Sequence, residues 1–410
     1  MTTSPNENSA AMVDIKPLLT KLWPVGRDVP ADEIANAISH FFTNSISEAQ
    51  AASLLVALHF NAMDMRADVL AGCAAVMLQA VSRGSVHDLE AALAHRARPE
   101  GRYGGGLCDI VGTGGDSHDT FNVSTTSSIL ASALLLISKH GNKASTSKSG
   151  SADIVACMKP RAPIVDALRP DTLARVYTAT NYGFVFAPLF HTGMRFVAPI
   201  RRQLPWRTIF NNIGPLANPL HELIEARVIG IGRRDLGPSF REALRTLGCR
   251  KALIVCGDEE LDEISCAGPT SCWTLCETSP GGEVLSDHFK VEPRDFGLES
   301  HPLSEVSSGK DPKDNAAILT RILQGELAAD DPLLDFILIN TAALLVVSGI
   351  CEADTSAMGP GDDGKVVTER GPGGQRWKEG VRRARWAIES GEARKQWEAF
   401  VNVTHEIGSK

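Results

Sequence analysis

A glycine-rich run, Gly112-Thr-Gly-Gly-Asp116, follows the short apolar segment Leu107–Val111 and is the densest chemical signal in this sequence. Glycines let backbone N–H groups approach an anion closely, because no side chain stands in the way. The run Asn122-Val-Ser-Thr125 comes next and opens a helix, whose N-terminus offers free N–H donors and partial positive charge. The pattern is neither a Walker A loop nor a GxGxxG fingerprint. It predicts a phosphate cradle, and a tight turn without a ligand is the alternative.

A second polar run combines cations with hydroxyl groups. Lys139-His-Gly-Asn142 is followed by Ser145-Thr-Ser-Lys148-Ser-Gly-Ser151, and Lys143 lies between them. Lysine ammonium groups and serine hydroxyls both donate hydrogen bonds to phosphate oxygens. We therefore expect a loop that holds a phosphate or diphosphate group, with Asn142 available to a small polar substrate. A polar surface loop with incidental serines is the alternative.

Arginines are concentrated in a third segment, where four of them lie between Arg195 and Arg207. The planar guanidinium binds a carboxylate or a phosphate through two parallel hydrogen bonds. The segment continues to a Gly214-Pro215 turn bounded by asparagines, which indicates a loop of fixed shape. One of these arginines could bind an anionic substrate, and a solvated helix face would explain the same spacing.

Adjacent carboxylates form the fourth signal. The run Asp258-Glu-Glu-Leu-Asp262-Glu263 comes soon after the apolar segment Lys251–Cys256, which we interpret as a strand. Carboxylate oxygens are hard ligands suited to Mg²⁺, and open α/β sheets bind ligands at the carboxyl ends of their strands. An exposed acidic turn is the alternative. The four signals together suit a phosphorylated substrate bound with Mg²⁺, whereas no serine lies in a nucleophile-elbow pattern.

Composition limits the classes of function. The 410 residues carry a formal net charge of −8, so the chain is a poor candidate for sequence-independent nucleic-acid binding. The polar N-terminus lacks the apolar core of a signal peptide, and we expect no membrane partner. The nine cysteines are scattered without a CxxC pair, which indicates reduced thiols in a cytoplasmic protein.

The elements that position these residues change character along the chain. Residues 1–12 read as a disordered tail, and residues 13–95 read as helices, with a capping box at Ser47-Glu-Ala-Gln50. Beyond Gly101, apolar runs that end at glycines alternate with helical stretches, which predicts an α/β domain with a mostly parallel sheet. We assign strands to Leu107–Val111, Ala226–Ile231 and Lys251–Cys256.

The rest of the chain contains further helices and two segments that interrupt the pattern. We assign helices to Ser124–Ser138, to the apolar run Leu333–Cys351 and to two stretches divided near Ser390-Gly391. Residues 277–306 and the Gly-rich residues 354–376 read as insertions, and we expect a mobile loop in the second of them.

The motifs jointly resemble the anthranilate phosphoribosyltransferases. GTGGD…NVST, KHGN…SGSAD, H…RFVAPIR…RTIFNNIGPLANP and LDEIS occur in this order, and the resemblance extends from about residue 13 to residue 407. It implies a homodimer in which a small, discontinuous helical domain joins a larger α/β domain of the nucleoside phosphorylase/phosphoribosyltransferase type, with the active site in the cleft between them. The expected helical domain is 13–100, with 178–208 returning to it. The expected α/β domain is 101–177 together with 209–410.

The resemblance also implies a reaction and roles for individual residues. The phosphoribosyl group of 5-phosphoribosyl 1-diphosphate (PRPP) passes to the amine of anthranilate with release of pyrophosphate, which is the second step of tryptophan biosynthesis from chorismate. The implied catalytic residues are Lys139, Arg201, Asp262 and Glu263. The implied PRPP-binding residues are Gly112, Gly115, Asp116, Thr120, Asn122, Val123, Ser124, Thr125, Lys139, Ser147 and Ser151. The implied anthranilate-binding residues are Gly112, His140, Asn142 and Arg201. The implied cofactor is Mg²⁺, as two ions, on Ser124, Asp262 and Glu263.

Two other functions stay open at this point. Pyrimidine nucleoside phosphorylases share the general architecture but are typified by a KxSxGG-type loop. This chain has GTGGD and KHGN instead. A non-catalytic homologue that binds nucleic acid should be basic and should lack the Asp262-Glu263 pair, whereas this chain is acidic and carries that pair.

Overall fold

The computed structural model describes residues 12–26, 28–114, 116, 118, 120–144, 150–307 and 311–409. The expected tail, residues 1–12, lies outside this part of the chain except for its last residue. The α-helices of the described residues are α1 Lys16–Lys21, α2 Ala31–Phe42, α3 Glu48–Phe60, α4 Ala67–Gln79, α5 Val86–Arg96, α6 Val123–Ala131, α7 Ser151–Val155, α8 Leu173–Ala179, α9 Ala187–Phe190, α10 Met194–Arg202, α11 Ile209–Ile213, α12 Gly237–Thr246, α13 Leu303–Val306, α14 Pro312–Leu323, α15 Pro332–Ser348, α16 Trp377–Glu389 and α17 Glu392–Gly408.

One sheet organises the larger part of the chain. Its strands are β1 Leu107–Gly112, β2 Leu136–Gly141, β3 Tyr182–Phe186, β4 Ile224–Gly230, β5 Lys251–Gly257, β6 Thr270–Glu277 and β7 Val284–Val291. Their order across the sheet is β3-β2-β1-β4-β5-β6-β7. The first five strands pair in parallel, and β6 and β7 add an antiparallel hairpin at one edge. The predicted α/β class with a mostly parallel sheet is confirmed.

The order of the strands marks a place for ligands. The chain proceeds outward from β1 through β2 to β3, and then returns to the opposite side of β1 with β4. β1 and β4 therefore flank the point where the strand order reverses, and ligands bind outside the carboxyl ends of parallel strands at such a point. The register pairs the last residues of the two strands, Gly112 and Gly230.

The described residues separate into two compact units. One contains the chain up to Ser82 together with His191–Asn218, and it is helical. Its helix α3 begins at Ser47, whose hydroxyl accepts a hydrogen bond from the backbone N–H of Gln50 at 3.3 Å. The reciprocal half of the predicted capping box is absent, because the Gln50 side chain instead accepts the backbone N–H of Ile15 at 2.7 Å.

The other unit contains Arg83–Phe190 and Pro219 onward, so its boundaries differ from the expected residues 100, 178 and 208. Helix α5 is part of this larger unit because it packs against α8. Residues 178–190 also stay with it, because they include strand β3, which pairs with β2. The segment that returns to the helical unit is therefore 191–218.

Two predicted elements are wrong in the larger unit. The helix expected over Ser124–Ser138 ends at Ala131, and strand β2 follows at Leu136 with every residue buried. A short apolar run does not distinguish a buried strand from a buried helix, which is why the pattern was ambiguous. The polar stretch 277–306 contains strand β7, whose largely exposed residues hide the alternation typical of strands.

Helix α15 lies almost entirely buried, as its apolar composition predicts, and α16 and α17 divide at Ser390-Gly391. Residues 354–376 form a long loop, and ion pairs anchor it: Asp362 lies 3.1 Å from Arg382, and Glu352 lies 2.7 Å from Arg370. Among the described residues, no helix is both long enough and apolar enough to span a membrane.

His191 ties the two ends of the returning segment together. Its Nε2 donates to the backbone carbonyl of Ala217 at 2.9 Å, and the side chain is buried. Burial lowers the pKa of His191 from 6.5 to about 4. Because the unfolded chain takes up this proton near pH 6.5 and the folded chain resists it until about pH 4, protonation favours unfolding as the pH falls through that interval.

The first prediction concerns the pH dependence of stability that His191 causes. Replacing His191→Gln keeps a neutral donor at every pH, so the fall in the free energy of unfolding between pH 7 and pH 5 should be smaller by about 2 kcal/mol. Urea denaturation at the two pH values measures this difference. The exposed His87→Gln substitution is the control. If the free energy of unfolding of the wild type and of His191→Gln depended equally on pH, the lowered pKa of His191 would be contradicted.

Candidate functional site

The carboxyl ends of β1, β4 and β5 meet at one edge of the sheet. The loop after β1 is joined to β4 by backbone hydrogen bonding, because the N–H of Thr113 donates to the carbonyl of Gly230 at 2.9 Å. The hydroxyl of Thr113 accepts from the N–H of Gly232 at 3.3 Å. The glycine loop predicted from the sequence therefore lies at the point where the strand order reverses.

The acidic loop after β5 lies directly on this edge. The N–H of Gly114 donates to Oδ2 of Asp262 at 2.6 Å. A Cβ on Gly112 would lie 2.5 Å from Oδ2 of Asp262, and a Cβ on Gly230 would lie 1.5 Å from the Asp262 carbonyl oxygen. Glycine is required at the end of β4 because a side chain there would occupy the place of the Asp262 backbone, and a side chain at Gly112 would displace the Asp262 carboxylate.

Three carboxylates converge here. Asp116, Asp262 and Glu263 each offer an oxygen, and these oxygens lie within 4.8 Å of one another. Burial, together with the neighbouring carboxylates, raises the pKa of Asp262 and of Glu263 above their usual range. Like charges held this close favour either proton uptake or a bound cation. The donor set is all oxygen, which fits Mg²⁺.

The start of α6 faces the same edge from the other side of the glycine loop. Oδ1 of Asn122 accepts the backbone N–H of Thr125 at 3.1 Å, so Asn122 caps the helix. The side chains of Val123 and Thr125 are buried, whereas Asn122 and Ser124 are only partly buried. Ser124 is therefore the hydroxyl of this run that is open to a ligand, and Thr120 is also partly accessible.

Sequence reasoning missed the residues that hold α6 in place. Asn315, which is buried at the start of α14, accepts the backbone N–H of Asn122 through its side-chain oxygen at 3.4 Å. The carbonyl of Val306 accepts the N–H of Phe121 at 3.2 Å. Since these partners lie more than 180 residues further along the chain, no local pattern could reveal them.

Lys139 lies on strand β2 and is buried, which corrects its assignment to a polar loop. Its Nζ donates to the carbonyls of Ile110 at 2.8 Å and His140 at 3.2 Å. Burial lowers the pKa of Lys139 to about 8, while the charges of Asp109 and Glu263 oppose that shift. The ammonium group therefore lies beneath the strand ends rather than on a surface loop.

Asp153 binds the described residues on either side of 145–149. Its Oδ2 accepts the N–H groups of Ala144 at 2.9 Å and Gly150 at 3.0 Å. His140 is buried at the end of β2, Asn142 is exposed, and Ser151 begins α7 and is partly buried. Two expected contacts with PRPP, Gly115 and Ser147, lie outside the described residues.

Arg201 belongs to the helical unit, near the end of α10. Its Nη2 donates to Oδ1 of Asn211 at 3.1 Å, and its guanidinium carbon lies 5.7 Å from the ring centroid of Phe210. Burial and the nearby Arg207 lower the pKa of Arg201. A guanidinium that is held by a neutral amide keeps donors available for an anionic ligand.

Comparison with known proteins places this geometry in a family. The a/b domain of the glycosyl transferase family matches residues 104–394, and the helical bundle domain of that family matches residues 16–81. The anthranilate phosphoribosyltransferase of Schizosaccharomyces pombe is 36% identical over 394 residues, which is 96% of this chain and 98% of the relative. The chain belongs to the anthranilate phosphoribosyltransferase family. The resemblance that the motifs indicated is confirmed.

Solved structures from the anthranilate phosphoribosyltransferase family agree with this assignment. The Saccharomyces cerevisiae enzyme in complex with PRPP and Mg superposes with a TM-score of 0.76 at 29% identity, covering 95% of this chain and 97% of that chain. The same enzyme in complex with 4-fluoroanthranilate gives a TM-score of 0.74 at 27% identity, covering 95% of this chain and 96% of that chain.

The structure gives two residues of the site a role that the sequence did not indicate. Asp116 was expected to contact PRPP, and the structure adds it to the carboxylate cluster of Asp262 and Glu263. Gly230 was not singled out, although β4 was expected to end nearby. The signal available in the sequence was a strand that ends at a glycine, the same signal that marks Gly112.

The second prediction concerns Gly230. Gly230→Ala would force the Asp262 carbonyl away from β4, since the added Cβ would lie 1.5 Å from it. We expect the free energy of unfolding to fall by about 1–3 kcal/mol, and the Mg²⁺ concentration for half-maximal activity to rise. Gly268→Ala is the matched control, because no atom lies within 4 Å of its added Cβ. The same behaviour in both variants would contradict the close approach.

Proposed function

We propose that this chain transfers the 5-phosphoribosyl group of PRPP to the amine of anthranilate, giving N-(5-phosphoribosyl)anthranilate and pyrophosphate. The observation that carries the proposal is the convergence of Asp116, Asp262 and Glu263 with the glycine loop at the strand-order reversal, in a chain of this family. This reaction is the second step of tryptophan biosynthesis from chorismate.

The PRPP end of the site uses groups on the larger unit. Backbone N–H groups of the glycine loop and the N-terminus of α6 suit phosphate oxygens, because the helix end carries partial positive charge. Lys139 adds a full positive charge beneath the strand ends. We assign PRPP binding to Gly112, Gly115, Asp116, Thr120, Asn122, Val123, Ser124, Thr125, Lys139, Ser147 and Ser151.

The carboxylates would hold Mg²⁺, and we propose two ions. Asp262 and Glu263 would hold one of them, with Asp116 beside them, and Ser124 would be a ligand of the other. Burial first, and the neighbouring carboxylates second, raise the pKa values of Asp262 and Glu263, and a cation at this place would stabilise their ionised forms. When bound, Mg²⁺ would neutralise the negative charge of the diphosphate.

The chemistry needs positioning more than proton transfer. C1 of PRPP gains oxocarbenium character as the C1–oxygen bond to pyrophosphate breaks, by analogy with glycoside cleavage. The amine of anthranilate is a weak base and is neutral at pH 7, so its lone pair attacks C1 without prior deprotonation. The nitrogen, which is positively charged once the C1–nitrogen bond has formed, then loses one proton to water. Holding that amine near C1 therefore supplies a large part of the rate enhancement.

Arg201 would bind the carboxylate of anthranilate and orient the ring. Asn211 fixes the guanidinium through the bond at 3.1 Å, which limits the loss of side-chain freedom on binding. We assign anthranilate binding to Gly112, His140, Asn142 and Arg201. The proposed catalytic residues are Lys139, Arg201, Asp262 and Glu263.

Two further properties belong to the proposal. We propose a homodimer, because the helical unit exposes large apolar side chains at Trp23, Val25 and Phe60, which are 80%, 64% and 67% accessible. We propose a cytoplasmic location, because all nine cysteines are unpaired, as in proteins of reducing compartments.

The third prediction tests the reaction itself. Anthranilate fluorescence should decrease only when protein, PRPP and Mg²⁺ are all present, and EDTA should abolish the decrease. No decrease with folded protein would reject the transferase. Phosphorolysis of pyrimidine nucleosides would then support the phosphorylase, and retention on heparin at moderate salt would support a nucleic-acid-binding homologue.

The fourth prediction concerns Arg201. Arg201→Ala removes the charged partner of the anthranilate carboxylate, so the anthranilate KM should rise about 10- to 100-fold, the range for a hydrogen bond to a charged group. The PRPP KM should change far less. Arg202→Ala, at the exposed neighbouring position, is the matched control. An unchanged anthranilate KM in Arg201→Ala would reject the role of Arg201.

A further inference from the structure

His118 connects the two loops that carry the carboxylate cluster. It lies in the loop after β1, and its ring Nε2 lies 2.9 Å from the backbone carbonyl oxygen of Glu259. A carbonyl oxygen only accepts hydrogen bonds, so Nε2 carries the hydrogen and donates it. Glu259 lies in the acidic loop after β5, three residues before Asp262. The contact therefore spans from the glycine loop to the acidic loop.

The backbone of His118 acts on the same cluster. Its N–H donates to Oδ1 of Asp116 at 3.1 Å, and Oδ2 of Asp116 accepts the N–H of Asp262 at 3.4 Å. The Asp116 carboxylate is thus held between His118 on its own loop and Asp262 on the other loop. The ring and the N–H of one residue set the distance between Asp116 and the acidic loop.

Two more bonds between described residues of these loops use the carboxylates themselves. The N–H of Gly114 donates to Asp262, and the N–H of Asp262 donates to Asp116. A cation held by Asp116 and Asp262 would compete for the same oxygens. The bond from His118 to Glu259 uses a ring nitrogen and a backbone carbonyl, so it does not compete with the cation.

The acidic loop contains a residue in an unfavourable backbone conformation next to Glu259. Glu260 adopts a left-handed backbone conformation with φ of 64°, which is unfavourable for a residue with a side chain. The hydroxyl of Ser265 donates a hydrogen bond to the Glu259 carboxylate at 2.5 Å. Glu259 is therefore fixed through its side chain by Ser265 and through its carbonyl by His118.

We infer that His118 is a positioning residue, which holds the acidic loop at the distance from the glycine loop that lets Asp116, Asp262 and Glu263 share a divalent cation with the diphosphate of PRPP. The inference rests on the proposed function. The observed hydrogen bonds of His118 are to Asp116 and Glu259, which places it beside the carboxylates rather than at the reacting atoms. Its effect reaches the substrate through the three carboxylates.

The experiment compares two amide replacements of different length. His118→Gln places an amide N–H near the position of Nε2, and His118→Asn carries the same group on a side chain one methylene shorter, which does not reach Glu259. Binding of Mn²⁺, as a spectroscopic substitute for Mg²⁺, is measured by electron paramagnetic resonance in the absence of substrate. PRPP KM, anthranilate KM and kcat are measured in parallel, with the melting temperature of each variant.

The expected result is a split between the two variants. His118→Asn should raise the Mn²⁺ dissociation constant and the PRPP KM roughly three- to tenfold, the range for loss of one hydrogen bond. The anthranilate KM should stay near the wild-type value, and His118→Gln should restore both affected constants. Unchanged Mn²⁺ binding and PRPP KM in folded His118→Asn would overturn the inference. Equal defects in the two variants would also overturn it.

The transferase activity and the role of His118 are tested separately. If the wild-type protein transfers phosphoribosyl groups while the His118 variants match it, the proposed function stands and the inference falls. If the wild-type protein shows no transfer, the proposed function falls, and the Mn²⁺ titration still decides whether His118 supports the carboxylate cluster.

Discussion

The site depends on the close approach of Asp262 to the ends of two neighbouring strands. A Cβ at Gly230 would lie 1.5 Å from the Asp262 carbonyl oxygen, so the acidic loop can lie on the sheet edge only because β4 ends in glycine. A Cβ at Gly112 would displace the Asp262 carboxylate. This contact brings the carboxylates of the β5 loop next to Asp116 and to the glycine loop. Without it, the anionic cluster and the helix N-terminus would be separate features of the surface.

The electrostatics of the edge follow from that packing. Burial, with the charge of Asp116, raises the pKa of Asp262, and burial, with the charges of Asp262 and Asp116, raises that of Glu263. Burial lowers the pKa of Lys139, so both kinds of charge are held where the free energy of ionisation is unfavourable. A divalent cation and a diphosphate would relieve both costs together. The arrangement is therefore better suited to a magnesium–diphosphate ligand than to either ion by itself.

The sequence was informative where chemistry and local order coincide. The glycine loop, the acidic pair and the cap of α6 at Asn122 are each defined within a few residues, and the structure describes them where they were expected. The failures come from strands that do not show the usual alternation. Lys139 was assigned to a loop, because strand β2 is buried on both faces although half of its residues are polar. Strand β7 was assigned to an insertion, because most of its residues are exposed.

Taken by itself, the sequence determined the α/β class, the order of the motifs and the chemistry they suit, because residue type and short spacing encode hydrogen-bond donors, charge and strand ends. Only the tertiary structure decided that β1 lies beside β4, that Asp116 joins Asp262 and Glu263, and that Asn315 and His118 hold the loops in place. These contacts join residues more than a hundred positions apart, and the packing of the sheet, rather than any local pattern, brings them within hydrogen-bond distance.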